Sequence, residues 1–188
     1  MPENCRFLVD NAEHDWTFEH KFDYIHSRML TLGMHDWPRF FKQAYDALEP
    51  GGWLETHETQ FPPRRADEDV DGSKDSPFLR WGQHTYESAA KAGIDARASE
   101  KFDEQLKAQG FVNVEKADVQ WPIRAWAKGQ KNKVMGRLVR TNTYQAIPAI
   151  AMGLFTRHLG WTKEQVEALV EDCTKDVDDT KNHFYYPM

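Results

Sequence analysis

The chain has 188 residues, 40% of them hydrophobic and 13% aromatic, enough for one domain with a sizeable core. Its net charge of −6 and pI near 5.7 argue against a general nucleic-acid binder, which needs a basic face to displace phosphate counterions. No apolar run approaches the roughly 18–20 residues that span a bilayer, so no membrane role is expected, and no basic-then-apolar signal pattern opens the sequence. Cys5 and Cys173 are too far apart to form a framework and read as free thiols. That fits a reducing compartment, the cytoplasm with the nucleus also open.

Cys5-Arg-Phe-Leu-Val-Asp10 reads as a short strand ending in an acidic loop, Asp10-Asn11-Ala12-Glu13. Phe22-Asp-Tyr-Ile-His26 is a second strand, rich in aromatic and β-branched residues. A helix follows. Asp36 is a good N-cap, Pro38 is tolerated in the first turn, and Trp37, Phe40, Phe41, Ala44, Tyr45 and Leu48 fall on one apolar face. Gly51 and Gly52 read as the stop of that helix after Pro50, and Trp53-Leu-Glu-Thr-His57 as a third strand. The polar stretch 60–76 is a loop. Its Asp67, Glu68, Asp69 and Asp71 lack the EF-hand register and read as solvated acids.

Further on, helices are predicted over 77–93, with Phe78, Trp81, Tyr86 and Ala89 as a ragged apolar face, and over 99–109, ending at Gly110. Phe111-Val-Asn-Val-Glu115 and on to Trp121 reads as a strand. Residues 130–159 read as helix, broken or bent at Pro148. Thr162-Lys-Glu-Gln165 is a capping box, and Val166, Leu169, Val170, Cys173 and Val177 form the stripe of the helix it opens. His183-Phe-Tyr-Tyr-Pro-Met188 begins a last strand. Strands alternating with helices predict right-handed crossovers and a mainly parallel sheet with helices on both faces. His14, His20, His35 and the other histidines show no ligand spacing, so no metal site is expected.

Asn4-Cys-Arg-Phe-Leu-Val-Asp-Asn-Ala-Glu13, Trp16, Phe22-Asp-Tyr-Ile-His-Ser-Arg28, Asp36-Trp37-Pro38 and Pro50-Gly-Gly-Trp-Leu-Glu55 together resemble class I S-adenosylmethionine-dependent methyltransferases, in particular the fungal, LaeA-like subgroup of secondary metabolism. The resemblance is dense over 4–58 and thinner at 110–114 and 183–186. It implies an α/β fold, a partial Rossmann-like class I methyltransferase sheet with a helical lid insertion. Residues 1–188 would form a single, incomplete domain, with 77–161 as the lid or substrate region carrying one sheet strand near 111–121. On the family's pattern the chain starts just before the third strand and stops inside the last. The Gly-rich turn that holds the cofactor falls outside it, either because the chain is a fragment or because it is a natural truncation.

The resemblance implies S-adenosylmethionine as cofactor and methyl transfer to a small-molecule acceptor. The alternative is a non-methylating pseudoenzyme or a regulatory interaction protein. Asp10, Asn11 and Ala12 align with the loop that holds adenine in relatives. His26 and Arg28 lie at the carboxyl end of a strand, where open α/β sheets place ligands. There they could face the methyl donor or acceptor, Arg28 on the cofactor side. His57, followed by Glu58, stands at the carboxyl end of the next strand as a candidate general base. The first-strand neighbours being absent, residues 22–26 are expected to present a bare edge open to a second copy or a partner chain.

Overall fold

The computed structural model describes residues 2–66 and 75–188, so the acidic stretch at Asp67, Glu68, Asp69 and Asp71 lies outside the described residues. The chain begins as irregular backbone. The strand expected at 5–10 does not form, and Phe7, Leu8 and Val9 are exposed. A lone extended segment leaves its backbone groups unpaired unless a neighbouring strand takes them, and none lies beside it among the described residues.

The α/β unit follows. Strand β1 (Phe22–Arg28) leads through a short 3₁₀ turn at Thr31–Gly33 to helix α1 (Trp37–Ala47) and then to β2 (Leu48–His57), which pairs with β1 in parallel. Asp36 caps α1, its Oδ1 accepting from the Arg39 amide at 2.9 Å. The helix ends at Ala47, so Gly51 and Gly52 do not stop it. They form a bulge inside β2, where Phe22 pairs with Leu48 but Tyr24 already pairs with Trp53. Gly51 has φ +86°, and a Cβ on Gly52 would stand 3.0 Å from the Glu49 carbonyl oxygen and 3.1 Å from that of Asp23.

Trp37, Phe40 and Phe41 of α1 bury against Met34, Ala98 and Phe102, with Trp16, Leu54 and Leu106 at the margin. Ala98–Lys101 is a 3₁₀ turn leading into α3 (Phe102–Gln109), which is terminated by Gly110 at φ +103°. Helices α1 and α3 therefore cover one face of the β1–β2 pair. The sequence predicts helices on both faces; among the described residues the opposite face is bare, with Tyr24, His26, Arg28, Trp53, Glu55 and His57 all exposed.

The larger core belongs to the rest of the chain. Helices α2 (Pro77–Lys91), α4 (Gln130–Leu154) and α5 (Lys163–Asp178) pack Phe78, Trp81, Ile147, Phe155, Val166, Cys173 and Val177 together with Phe184. Thr162 and Gln165 form the predicted capping box. Helix α4 runs unbroken past Pro148 and passes into a single π turn at Phe155–Leu159. Trp81 Nε1 donates to the Ile147 carbonyl at 3.3 Å beside that proline. The aromatics of 77–161 are thus mostly core or packed on it. Burial raises the Cys173 thiol to about 12, with Asp176 and Asp172 adding to it, so it stays protonated.

A second, antiparallel sheet of order β3–β5–β4 joins Arg64–Arg65, Phe184–Pro187 and Gln120–Pro122. The strand predicted from 111 to 121 is confined to its last residues. Residues 111–119 run without a ladder until Val119 exchanges two backbone bonds with Met188, at 3.0 and 2.8 Å.

Gly136 in α4 lies against the Arg124 carbonyl, where a Cβ would come within 1.8 Å of the oxygen, whereas Gly153 in the same helix has nothing within 4 Å. Gly136→Ala should lower stability by about 1–3 kcal/mol despite alanine's better helix propensity. Gly153→Ala should raise it by up to about 1 kcal/mol. Urea denaturation of the two variants checks both signs.

Candidate functional site

The alternation of a strand sends successive side chains to opposite faces. In the parallel pair Tyr24 lies beside Trp53, His26 beside Glu55 and Arg28 beside His57, and all six project from the bare face. Ile25, Ser27, Leu54 and Thr56 take the α1 face. The structure brings the two predicted histidines together: the His26 and His57 rings meet edge to face with centroids 5.0 Å apart. His26 also stacks with Tyr24 at 6.3 Å.

Glu55 joins them and was not anticipated. Its Oε1 lies 2.7 Å from His57 Nε2, and its Oε2 accepts from the Tyr24 hydroxyl. Those two hydrogen bonds, Tyr24 first and His57 second, hold the Glu55 carboxyl below the usual carboxylate range, and the same contact raises the Tyr24 hydroxyl. The signal was present as Glu-x-His at 55–57, a spacing that places both side chains on one face of a strand.

Glu58 is the next residue and takes the opposite face. It is 4% exposed and is no partner of an exposed base. Its Oε2 accepts from the Leu30 amide at 2.8 Å, the Thr31 amide at 2.9 Å and the Thr31 hydroxyl at 2.8 Å. The carboxyl end of β2 is thereby tied to the turn that follows β1. A second tie is the Met29 amide, which donates to the His57 carbonyl at 2.9 Å. Burial raises the Glu58 carboxyl above its ordinary value even though the three donors pull it down.

The other predicted residues stand apart. Arg28 leaves the cluster, with its guanidinium 6.0 Å from the centre of the Trp121 ring. Asp10 and Asn11 are absorbed in local turns: Asp10 Oδ1 accepts from the Asn11 amide and Asn11 Oδ1 from the Glu13 amide. The Ala12 carbonyl accepts from Trp16 Nε1 at 3.0 Å within the loop and from Gln43 Nε2 at 3.4 Å, and the second bond ties the loop to α1. Glu13 continues the anchoring by accepting from the His35 and Asp36 amides at 2.7 and 2.9 Å. Burial raises its carboxyl, but the His35 ring and the two amides outweigh it and leave the group below the ordinary range. Among the described residues no hydrogen bond or ring contact joins Asp10, Asn11 or Ala12 to His26, His57 or Arg28.

Beside the bare face an open crevice of about 720 Å³ runs along the unpaired edge of β2. Glu55, His57 and Trp53 border one wall; Val112, Val114 and Trp121 border the other.

The family model of the methyltransferase domain matches residues 2–116, more than half of the chain. The chain belongs to this methyltransferase family. Among curated relatives it is 34% identical over 168 residues to methyltransferase pytC of Aspergillus terreus, covering 89% of this chain and 51% of that protein. To the probable methyltransferase tdiE of Emericella nidulans it is 28% identical over 180 residues, 96% of this chain and 56% of that protein. The protein-methionine methyltransferase laeA of Emericella nidulans is 25% identical over 191 residues, 98% of this chain and 49% of that protein. The chain therefore spans about half the length of the curated relatives it matches. The resemblance to a fungal, LaeA-like methyltransferase subgroup stands. A solved N-methyltransferase of Haemonchus contortus, in complex with phosphomonomethylethanolamine and S-adenosylhomocysteine, superposes with a TM-score of 0.44 at 15% identity, over 96% of this chain and 35% of that one. No helix among the described residues is long and apolar enough to cross a membrane.

Removing the Glu58 carboxylate strands the half-buried Leu30 amide and the buried Thr31 amide, while the Thr31 hydroxyl keeps the Thr59 carbonyl at 3.2 Å. Glu58→Ala should cost on the order of 1–3 kcal/mol, and Glu58→Gln, which keeps an acceptor oxygen, should cost less. Because the folded carboxyl titrates above its unfolded value, its protonation favours folding. That contribution is complete below the unfolded value of 4.5 and is lost as pH rises through the folded one. The stability of the native chain relative to Glu58→Gln should therefore fall from pH 4 to pH 7, read by urea melts at both pH values.

Proposed function

We propose that this methyltransferase-family chain serves S-adenosylmethionine-dependent methyl transfer to a small-molecule nucleophile of fungal secondary metabolism. The observation that carries the reading is the Glu55–His57 pair at the carboxyl end of a parallel strand, bordering a crevice of about 720 Å³. Open α/β sheets bind their ligands at that end. The names of the relatives, pytC, tdiE and laeA, support the same class of chemistry.

In this reading the crevice holds the acceptor between Trp53 and the Val112–Val114 segment. His57, oriented by Glu55, takes the proton that the acceptor hydroxyl or amine releases as its lone pair attacks the sulfonium methyl. His26, packed edge-on to His57, fixes the plane of that ring. S-adenosylmethionine, when bound, would supply an electrophilic methyl group, so the protein's task is alignment and proton removal. Asp10, Asn11 and Ala12 would face the adenine, and Arg28 the carboxylate end of the cofactor. The helices between 77 and 161 would form the substrate-side lid. The two free thiols support a reducing compartment, cytoplasm or nucleus.

Transfer of a labelled methyl group from S-adenosylmethionine to a panel of phenolic and amine acceptors tests this. His57→Ala should lower turnover by about 10²- to 10⁴-fold, with the fold intact by circular dichroism. Calorimetry that detects no binding of S-adenosylmethionine, together with no transfer to any acceptor, would overturn the reading for this chain.

A second reading is favoured by one observation. Among the described residues β1 pairs with β2 alone, so its other edge carries unpaired backbone groups. Such an edge supports strand addition by a second copy or by a regulatory partner. Light scattering should then report a concentration-dependent dimer that Ile25→Pro on β1 abolishes; a monomer at all concentrations would count against self-pairing.

A further inference from the structure

Two imidazoles and one carboxylate converge on the bare face of the β1–β2 pair. One ligand atom from each of His26, Glu55 and His57 lies within 4.8 Å of the others. We propose that this cluster is a site for a divalent transition-metal ion of the zinc type, with His26, Glu55 and His57 as protein ligands and an open fourth position.

The ligand chemistry fits that class. Neutral imidazole nitrogen and carboxylate oxygen suit borderline ions such as Zn²⁺, and two histidines with one glutamate are a known open zinc set. Mg²⁺ and Ca²⁺ prefer oxygen-only shells.

The geometry needs little change. Bonds of about 2.0–2.2 Å at tetrahedral angles place ligand atoms about 3.4 Å apart. Glu55 Oε1 and His57 Nε2 stand at 2.7 Å, a separation that the ion opens by about 0.7 Å when it replaces the hydrogen between them. His26 closes from within 4.8 Å by rotation of an exposed side chain, which is a fast motion. The His26 and His57 rings meet edge to face at 82°, so one of the two exposed rings turns about its side-chain bonds to present its nitrogen to the ion.

The backbone holds the three ligands in place. His26 and Glu55 are register partners in the ladder, and His57 follows Glu55 by one strand period on the same face. Tyr24 donates to Glu55 Oε2, which leaves Oε1 for the ion, the kind of outer hydrogen bond that orients a ligating carboxylate. Arg28, which shares this face, has its guanidinium 6.0 Å from the centre of the Trp121 ring. The open position faces solvent beside the crevice that Glu55 and His57 border. A water or an acceptor oxygen could bind there.

Glu55 and His57 share one strand, but His26 lies on the other, 29 residues before Glu55, so no local spacing motif announces the full set. The expectation of no metal site was drawn from such motifs alone.

A bound ion takes the His57 lone pair that the proposed general base needs, so the metal-loaded and methyl-transferring states exclude one another, and the test contains neither cofactor nor acceptor. The 188-residue chain is titrated with Zn²⁺ by calorimetry and with Co²⁺ by visible absorption. One saturable equivalent is expected, with Co²⁺ bands of four- or five-coordinate intensity and no competition from excess Mg²⁺. His26→Ala, His57→Ala and Glu55→Ala should each weaken binding at least tenfold, and Tyr24→Phe by about 10-fold. All four positions are exposed, and unchanged circular dichroism confirms that the variants fold. Absence of saturable Zn²⁺ binding, or binding that the His26→Ala/His57→Ala double variant leaves unchanged, overturns the proposal. A chain that binds Zn²⁺ through these residues but transfers no methyl group upholds it while the methyl-transfer reading fails.

Discussion

A two-stranded parallel sheet is a poor structure unless something holds the carboxyl ends of its strands together, and here that is the buried Glu58 carboxylate. Parallel pairing is less stable per residue than antiparallel pairing, and two strands alone seldom persist in water. The crossover through α1 brings the strands side by side, but it attaches β1's end to β2's beginning. Glu58 makes the complementary connection, from the end of β2 to the turn at Leu30–Thr31. The arrangement costs desolvation of a charge, visible in the raised carboxyl, and the three donors offset it only in part. Every exposed group of the site is placed relative to this clasp, because His57 is the residue next to it and Arg28 precedes the turn it holds.

The same clasp separates two kinds of surface. Residues on the parity of Ile25, Leu54 and Thr56 are drawn towards α1 and the aromatic cluster of Trp37, Phe41 and Phe102. Residues on the parity of Tyr24, His26 and Glu55 receive no packing partner from a helix, so polar and aromatic side chains satisfy one another instead. A larger core of three helices and the antiparallel sheet is built elsewhere and reaches the site mainly through Trp121 and the Met188 end of β5. The site is therefore a seam between a thin α/β layer and a helical body.

Much of this was legible in the residues. The Asp36 cap, the 3–4 spacing of Trp37, Phe40, Phe41 and Ala44, and the Thr162–Gln165 box are local signals, and the helices they predict formed. Both strands of the parallel pair were legible for the same reason, as was the family. What failed depended on neighbours. Residues 5–10 and 111–119 have strand-like composition, yet a strand exists only where a ladder is available. Gly51-Gly52 after a helix has two physical uses, a stop and a bulge, and only the pairing of Tyr24 with Trp53 distinguishes them. The sequence sets Glu58 beside His57 at the candidate base position, although the alternation of a strand sends consecutive residues to opposite faces. The partner of His57 was instead Glu55, one strand period away, and the meeting with His26 required knowledge of the register.

The bulge at Gly51-Gly52 sets the phase of everything downstream of it. Between Leu48 and Trp53 the second strand advances five residues while the first advances two, from Phe22 to Tyr24. Because side chains alternate with a period of two, a single residue more or less in that excursion would invert the strand beyond it. Leu54 and Thr56 would then lie in solvent, Glu55 and His57 would be pressed against α1, and Glu58 would point away from the turn it closes. The pair of glycines thus acts as a counter for the sheet. The chemistry of one face and the cohesion of the other share a single setting, and a length change in this loop could not alter either without the other.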